Sequence, residues 1–448
     1  MKFFSPLDGR YFSKISELAE FFSEFGLVKN RVEIEGKWLE FLAEKKFFAA
    51  EKKILEKIKK IYENFSEKDF AEIKKIEQKI NHDVKSVEYF WREKLPRKFW
   101  PWIHFAATSE DINNLAHGKI LNFGREKIVD FLENKILKIL RAQILEWKKI
   151  SILARTHGQP ATPSTVGKEF LVFFARILDV AKNFKKIKIY GKFAGATGNF
   201  AAHAAAFPEK NWPKIAAEFV EKKIKLKNFP VVTQILPHDD AAAILHEISR
   251  LATIFVDFSR DIWNYISRGF FGQKKVENEV GSSTMPHKIN PINFENAEGN
   301  FKFCRGICRT LADELPISRM QRDLTDSTLQ RNFGLIFGHF FLAEKNFFAG
   351  LQKLEIREKI LRADLQKNPE ILAEPIQTIL RKNGDADAYE KLKKLTRGEK
   401  ISLEKIKKFA ENLEISAAEK KFLQNLTPEK YTGFSEKIVD EFFEKEKI

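Results

Sequence analysis

A polar loop, GSSTMPHKINP at Gly281–Pro291, contains the residues of this 448-residue chain whose types and spacing best suit chemistry. It places two serine hydroxyls, a lysine ammonium and an asparagine amide on a segment that opens with glycine and contains two prolines. Glycine gives the backbone freedom, and proline restricts it. These groups together suit a carboxylate, and suit it better as it gains negative charge in a transition state. The alternative is a polar surface loop with no function.

A second candidate lies in RTHGQPATPS, Arg155–Ser164. Its glycine and two prolines interrupt any helix, so the sequence predicts that His157 lies in an irregular connection between helices. A histidine in a loop is more often an ordinary polar surface residue. An imidazole with a pKa of about 6.5 is nevertheless the natural proton donor near neutral pH.

Two further segments combine hydroxyls with charge. ATSEDINN, Ala107–Asn114, is typical of a helix start, with Thr108 or Ser109 as N-cap and two acidic residues in the first turn. Capping alone explains this segment, but a helix N-terminus can also bind an anion. STLQR, Ser327–Arg331, follows Arg322, and arginine binds carboxylate or phosphate through two parallel hydrogen bonds.

Two other patterns do not predict a site. GKFAGATGN, Gly191–Asn199, lacks the Lys-Ser/Thr ending of a phosphate-binding P-loop and a preceding βαβ pattern, so we predict a flexible bend. His238, Asp240 and His246 have neither an HExxH motif nor the spacing of a common zinc site. No catalytic metal is predicted.

The composition is that of a soluble globular protein of two or three domains, with 44% hydrophobic and 31% charged residues. Lys and Arg number 78 against 62 Asp and Glu, a net charge of +16. The lysines alternate with glutamates and form no basic arm, so the pattern favours a solvated helical surface over nucleic-acid binding.

The two cysteines, Cys304 and Cys308, form no disulfide framework. Their spacing of four places them on one helical face, where packing in the core is favoured over zinc binding. The N-terminal segment lacks the apolar region of a signal peptide, and no apolar run reaches about 18 residues. We expect a soluble cytoplasmic protein with no membrane partner.

Long helices must position the candidate residues. Three spans contain no proline: Trp102–Gln159, His238–Met285 and Ile317–Asn368. Apolar alternation is scarce, so strands should be few, and the sequence predicts an all-α fold with a long-helix bundle. Broad apolar helix faces also make an oligomer plausible. Apolar residues recur every three or four positions in a series typical of one helix face: Ile128, Phe131, Leu132, Ile136, Ile139 and Leu140.

The motifs resemble one family, in the order in which they occur. The loop at Gly281–Pro291 resembles the signature loop of the fumarase/aspartase superfamily. The remaining motifs, over nearly the whole chain, resemble the adenylosuccinate lyase family in its long bacterial form. Two positions depart from the family pattern, since Asp240 replaces an aromatic residue and Ala107 a cysteine. These motifs are SPLDGRY, NHDVKSVEYF, IHFAATSEDINN, RTHGQPATPSTVGKE, TQILPHD, DLTDSTLQRN, AEPIQTIL and YEKLKKLTRG.

The resemblance implies three mostly helical domains, for which we predict the bounds 1–107, 108–352 and 353–448. The central bundle would join four subunits into a homotetramer, with each active site built from three chains. It implies two reactions of purine synthesis and no cofactor: release of fumarate from adenylosuccinate to give AMP, and from SAICAR to give AICAR. The alternatives are another fumarate-releasing lyase of the superfamily, or a helical scaffold without catalysis.

The resemblance also implies roles for matching residues. Ser282 would remove the proton from the carbon beside a carboxylate, and Lys288 and Asn290 would stabilise the charged intermediate. His157 would protonate the departing nitrogen, oriented by Glu295. His82 is the alternative acid. Substrate contacts are implied for a larger set: Arg10, Tyr11, Asn81, His82, Asp83, Thr108, Ser109, Gln234, Ser283, Asn296, Arg322, Ser327 and Arg331.

Overall fold

The computed structural model describes residues 4–274, 285, 288–396 and 401–446. Helices make up most of these residues. In chain order they are α1 (Phe12–Ile15), α2 (Ala19–Phe22), α3 (Glu24–Glu44), α4 (Lys52–Glu63), α5 (Glu67–Ile80), α6 (Asp83–Lys94), α7 (Ser109–Phe131), α8 (Leu137–Trp147), α9 (Val166–Lys186), α10 (Ala201–Ala206), α11 (Trp212–Glu218), α12 (Asp239–Ser267), α13 (Ile292–Glu314), α14 (Thr325–Gln330), α15 (Phe333–Lys353), α16 (Glu358–Gln366), α17 (Ala373–Lys382), α18 (Ala388–Thr396), α19 (Leu403–Glu411), α20 (Ala417–Asn425) and α21 (Ser435–Glu446).

Strands are short and few within the described residues, as predicted. They pair as β1 (Ser151–Ile152) with β4 (Ser164–Thr165), β2 (Arg155–Thr156) with β3 (Gln159–Pro160), and β7 (Phe271–Gln273) with β8 (Leu354–Ile356), all antiparallel, and β5 (Tyr190–Gly191) with β6 (Lys227–Asn228), parallel. The all-α prediction is confirmed.

The helical series that begins at Ile128 is confirmed. Ile128, Leu132, Ile136 and Leu140 are all buried, four residues apart. The π-helical turn Leu132–Ile136 connects α7 to α8. The predicted apolar spacing is therefore matched by burial at these four positions.

The chain divides into two compact units. The first comprises Met1–Leu132, Val180–Val256 and Asn296–Lys345, and the second Glu133–Asp179, Asp257–Glu295 and Asn346–Ile448. Helices α9, α12, α13 and α15 contribute residues to both units. The predicted division into three domains stays a prediction.

In the first unit, phenylalanines of three long helices form an aromatic core. Phe255 of α12 stacks on Phe301 of α13 with 4.8 Å between the ring centroids, and Phe301 meets Phe340 of α15 edge-on at 5.3 Å. Cys304 and Cys308 of α13 are fully buried, as predicted for core residues. A second cluster packs α3 against α4, α5 and α6.

In the second unit, the same long helices pack through different aromatic residues. Phe258 of α12 stacks on Phe173 of α9 at 4.1 Å and lies 5.3 Å from Phe347 of α15. Phe294 of α13 meets Phe347 edge-on. A separate apolar cluster is formed by α16 to α20 with the residues around them. Within the described residues, no helix is both long and apolar enough to span a membrane.

Candidate functional site

A cavity of about 380 Å³ in the first unit collects polar residues from three segments of the chain. These segments are the corner between α5 and α6, the start of α7, and the residues around α14. Seven of its lining residues are predicted substrate contacts. The lining consists of Glu77, Asn81, His82, Asp83, Ser109, Asn113, Arg322, Leu324, Ser327 and Arg331.

Local backbone geometry presents the α5–α6 corner to the cavity. Asn81 ends α5 in the left-handed conformation, with φ of 51°. His82 is the N-cap of α6, and its Nδ1 atom accepts the N–H of Lys85 at 3.1 Å. Because Nδ1 accepts, the proton of a neutral His82 ring lies on Nε2. His82 therefore has a structural role in this chain besides its predicted one.

Asp83, the first residue of α6, is held between two arginines. Its Oδ2 atom lies 2.9 Å from Nη2 of Arg31 and 2.7 Å from Nη2 of Arg331. Burial alone would raise the pKa of the Asp83 carboxyl, but the two guanidinium groups lower it to about 2. Asp83 is thus a carboxylate at neutral pH.

Arg322, which also lines the cavity, lies in an acidic environment. Its Nη1 donates to Oε1 of Gln234 at 3.2 Å, which brings two predicted contacts together. Its Nη2 lies 3.3 Å from Glu110 Oε2 and 3.8 Å from Asp326 Oδ1. Burial raises the pKa of Glu110 to about 7, although Arg322 opposes the shift. Asp326 also lies 3.6 Å from Nε2 of His238.

The start of α7 is confirmed as a capped helix N-terminus. Thr108 is the N-cap, and its N–H donates to Oδ2 of Asp111 at 2.8 Å. Asp111 also binds the ammonium of Lys192 at 2.8 Å and accepts the N–H groups of Ala194 and Gly195 at 2.8 and 3.1 Å. The same carboxylate therefore fixes both the helix start and a distant segment.

The prediction of a flexible bend at Gly191–Asn199 is wrong, because side chains of α7 hold its backbone. Its backbone is held by Asp111 and by the side chain of Asn114, which accepts the N–H of Lys192 at 2.8 Å. Gly198 is left-handed, with φ of 75°, and a Cβ atom there would lie 2.1 Å from the carbonyl oxygen of Val232. Gly198 therefore serves close packing in this segment.

Arg10, Tyr11 and Asn296 are further predicted contacts that lie outside the lining of this cavity. Asn296 Nδ2 donates to the hydroxyl of Tyr11 across a long 3.5 Å contact. The exposed guanidinium of Arg10 lies 5.9 Å from the centre of the Tyr11 ring. The structure thus pairs these three residues with one another within the first unit.

His157 belongs to the second unit and occupies the tip of a tight β-hairpin, not an irregular connection. It and Gly158 both have positive φ, 52° and 78°, which is typical of a type I′ turn between β2 and β3. Arg155, at the start of β2, forms an ion pair with Asp364, in which its Nη2 atom lies 2.8 Å from each carboxylate oxygen. The hairpin is anchored while the His157 side chain stays exposed.

The other predicted catalytic residues are only partly described. Glu295 is exposed and accepts the indole N–H of Trp263 at 3.1 Å. Its pairing with His157 stays a prediction. Lys288 is exposed and Asn290 half-buried, in the segment that leads into α13. Ser282 and Ser283 lie outside the described residues.

No motif indicated Arg31, although it contacts Asp83 directly. It lies on α3 between Asn30 and Val32 and is 2% exposed. In the sequence it is one of several charged residues of this helix, with Lys29 and Glu33 close by, so nothing distinguished it or indicated its partner. In the part of the chain that the structure describes, no group of three or more His, Cys, Asp and Glu residues is arranged to hold a metal ion.

Family models match most of the chain. One described as "Lyase" matches residues 9–306, and one described as "Adenylosuccinate lyase C-terminal" matches residues 318–432. The adenylosuccinate lyase of Escherichia coli K12 is 43% identical, over 98% of this chain and 98% of that protein. The adenylosuccinate lyase of Haemophilus influenzae is also 43% identical, over 97% of each chain.

Solved structures share the fold at low sequence identity. The 3-carboxy-cis,cis-muconate lactonizing enzyme of Pseudomonas putida superposes with a TM-score of 0.79 at 19% identity, covering 96% of this chain and 97% of that one. The fumarate lyase of Mesorhizobium sp. BNC1 gives 0.78 at 17% identity, covering 95% and 97%. These two comparisons concern the fold, whereas the sequence matches run along nearly the whole length of both proteins. This chain belongs to the adenylosuccinate lyase family.

Proposed function

We propose that this protein is an adenylosuccinate lyase, a carbon–nitrogen lyase that releases fumarate from adenylosuccinate to give AMP and from SAICAR to give AICAR. The observation that carries the proposal is the cavity of the first unit, where seven predicted substrate contacts come together. Its arginines and hydroxyls suit a substrate with two carboxylates and a phosphate. The full-length identity to curated adenylosuccinate lyases supports the same reading.

The proposed reaction is a β-elimination. Ser282 takes a proton from the carbon beside a carboxylate, and the electrons of that C–H bond form the double bond of fumarate. The C–N bond breaks, its electrons go to nitrogen, and His157 supplies the proton that the nitrogen takes up. Lys288 and Asn290 stabilise the negative charge that develops on the carboxylate. Proton transfer from a positioned group contributes roughly 10²–10⁴-fold to such a rate.

Positions in the cavity support roles in binding. Ser327 and Arg331 lie on or beside α14, and Ser109 lies at the N-terminus of α7, where unpaired backbone N–H groups favour an anion. Arg331 is partly exposed and forms an ion pair with Asp83. We assign the three residues to the anionic groups of the substrate.

The proposal includes a homotetramer with shared active sites. Two observations on the single chain support it. His157 is exposed on its hairpin, whereas a general acid of this kind works in a closed site. Apolar side chains are also exposed on long helices, among them Val172, Trp263, Ile292 and Phe303, whose exposed fractions are 43, 43, 52 and 54%. Light scattering after gel filtration should give four times the 52.1 kDa of the chain. A monomer would contradict this part of the proposal.

The proposed activity is tested by an ultraviolet assay of the purified protein with adenylosuccinate, followed by detection of fumarate. Argininosuccinate serves as the control substrate. Cleavage of adenylosuccinate alone supports the proposal, whereas cleavage of argininosuccinate favours another lyase of the superfamily. A folded tetramer that cleaves neither substrate favours a scaffold without catalysis.

The proposed base is tested separately with Ser282→Ala. This variant should bind adenylosuccinate with an affinity close to that of the wild type and fail to turn it over. The hydroxyl is small and its proposed role is proton removal, so its loss should abolish turnover and leave the affinity for adenylosuccinate nearly unchanged. Normal turnover in Ser282→Ala would remove Ser282 as the base.

A further inference from the structure

We infer that Arg31 is a positioning residue, which holds the two cavity arginines Arg322 and Arg331 at a fixed spacing through two separate arms. The inference rests on the proposed function, in which these arginines bind the anionic groups of the substrate. Arg31 itself is 2% exposed and is not among the residues that line the cavity. It must therefore act through other side chains.

The first arm runs through Asp83 to Arg331. Nη2 of Arg31 lies 2.9 Å from Oδ2 of Asp83, and the same oxygen lies 2.7 Å from Nη2 of Arg331. One carboxylate oxygen is thus shared by two guanidinium groups. Because Arg31 neutralises part of the charge of Asp83, this carboxylate does not fully compensate Arg331, which keeps positive charge to offer to an anion.

The second arm runs through Asn113 and Glu110 to Arg322. Nε of Arg31 donates to Oδ1 of Asn113 at 2.9 Å. The amide of Asn113 donates to Oε2 of Glu110 at 3.5 Å, and that oxygen lies 3.3 Å from Nη2 of Arg322. Every member of this arm before Arg322 is buried. Asn113, the middle member, also lines the cavity, so the arm connects the buried Arg31 to the cavity wall.

Only arginine can serve both arms at once. Its guanidinium is planar and rigid, and its Nε and Nη donors point in different directions from one plane. A lysine would keep the positive charge but has one nitrogen on a flexible stem, so it can reach Asp83 or Asn113 but not both in the observed geometry. Arg31→Lys should therefore lose at least one of the two arms although it keeps the positive charge.

The test compares wild type, Arg31→Lys and Arg31→Met in the intact enzyme. We expect both variants to raise the KM for adenylosuccinate by about 10-fold or more, since each loses at least one hydrogen bond to a group that fixes a binding arginine. The kcat should fall by a smaller factor, because Ser282 and His157 are unchanged. The Kd for AMP, measured by calorimetry, should rise in parallel with KM.

Arg92→Met is the matched control. Arg92 also lies in the first unit and also binds a carboxylate of α6, that of the buried Glu88, but it does not line the cavity. Its loss should lower the melting temperature and leave KM and the Kd for AMP unchanged. An equal rise of KM in Arg92→Met would mean that any damage to the unit weakens binding, and would overturn the inference.

Two other results would also overturn it. One is an Arg31→Lys enzyme with wild-type KM and wild-type affinity for AMP. The other is failure of both Arg31 variants to fold, which would make Arg31 a residue of the folding core. Failure of the proposed function looks different, since the wild type itself would then not cleave adenylosuccinate, while the ratio of AMP affinities would still report on Arg31.

Discussion

The ammonium group of Lys192 lies 2.8 Å from Oδ1 of Asp111, and neither side chain is exposed to solvent. A buried ion pair is favourable only when hydrogen bonds satisfy the remaining polar atoms. Asp111 meets this condition through the N–H groups of Thr108, Ala194 and Gly195. The pair therefore joins the start of α7, which presents Ser109 to the cavity, to the segment that follows β5.

We predict that Lys192→Met lowers the free energy of unfolding by about 3–5 kcal/mol, the usual cost of leaving a buried charge without its partner. Methionine has a similar length, so the loss of charge dominates over the loss of packing. The measurement is urea denaturation at a fixed protein concentration and neutral pH. Lys222→Met is the control, because Lys222 forms an exposed pair with Glu218 and should change the value by less than about 1 kcal/mol. Equal effects in both variants would contradict the role of the buried pair.

Gly198 and Gly384 allow a test of the close packing in the segment Gly191–Asn199. Both have positive φ, 75° and 85°, so alanine is strained at either position. At Gly198 a Cβ atom would also lie 2.1 Å from the carbonyl oxygen of Val232, whereas nothing lies within 4 Å at Gly384. We predict a loss of about 1 kcal/mol for Gly384→Ala and roughly 2–4 kcal/mol for Gly198→Ala. Equal losses in thermal or urea denaturation would show that the segment yields to the added methyl group.

The buried carboxyl of Glu110 makes a prediction about pH. Burial raises its folded-state pKa from an ordinary 4.5 to about 7. Between those values the folded state holds a proton that the unfolded state has lost, so the stability that this group contributes is present below about pH 4.5 and is lost as pH rises through about 7. The expected loss is about 3 kcal/mol over that window.

Glu110→Gln isolates this contribution, because glutamine resembles the protonated acid and does not titrate. The free energy of unfolding of the wild type relative to this variant should fall as pH rises from 5 to 8. The measurement is a series of urea denaturation curves at pH 5, 6, 7 and 8. A constant difference between the two proteins would mean that Glu110 has an ordinary pKa in the folded state.

Periodicity and capping were sufficient to predict the helical fold and an N-cap at Thr108 or Ser109, of which the structure has Thr108. Both depend on residues close together in the chain: apolar side chains three or four apart, and a hydroxyl three residues before an acid. The burial of Cys304 and Cys308 followed from the same spacing. Local sequence therefore determines most of the elements that surround the cavity.

The interactions of Asp111 and Arg31 could not be predicted in the same way. Asp111 reads as an ordinary first-turn acid, yet its ion-pair partner is Lys192, 81 residues away. Arg31 meets Asn113 across 82 residues, and nothing in α3 indicates which residue it faces. Such contacts depend on how the helices pack, and that arrangement is not encoded in any one segment. The polar network beneath the cavity was missed for this reason.

The general acid can be identified by comparing two histidines in different environments. His157 is exposed on a hairpin whose base is fixed by Arg155, so His157→Gln should leave folding intact. We predict that it lowers kcat by roughly 10²–10⁴-fold with little change in KM, as expected for loss of the proton donor. His82→Asn removes the alternative acid, and asparagine is itself a favourable N-cap, so α6 keeps its cap. This variant should change KM more than kcat, because His82 lies among the predicted binding residues.

The exposed His246 provides a control for the loss of a histidine as such, and His246→Gln should keep wild-type kinetics. If His82→Asn instead loses kcat and His157→Gln does not, the acid is His82. Its protonated ring would then carry hydrogen on both nitrogens and would give up the N–H of Lys85 that Nδ1 accepts in this structure. A general acid must be protonated to act, so the loss of its proton sets the basic limb of the pH–kcat profile. The profile of the His157→Gln enzyme therefore decides between the two assignments, because it loses the limb only if His157 is the donor.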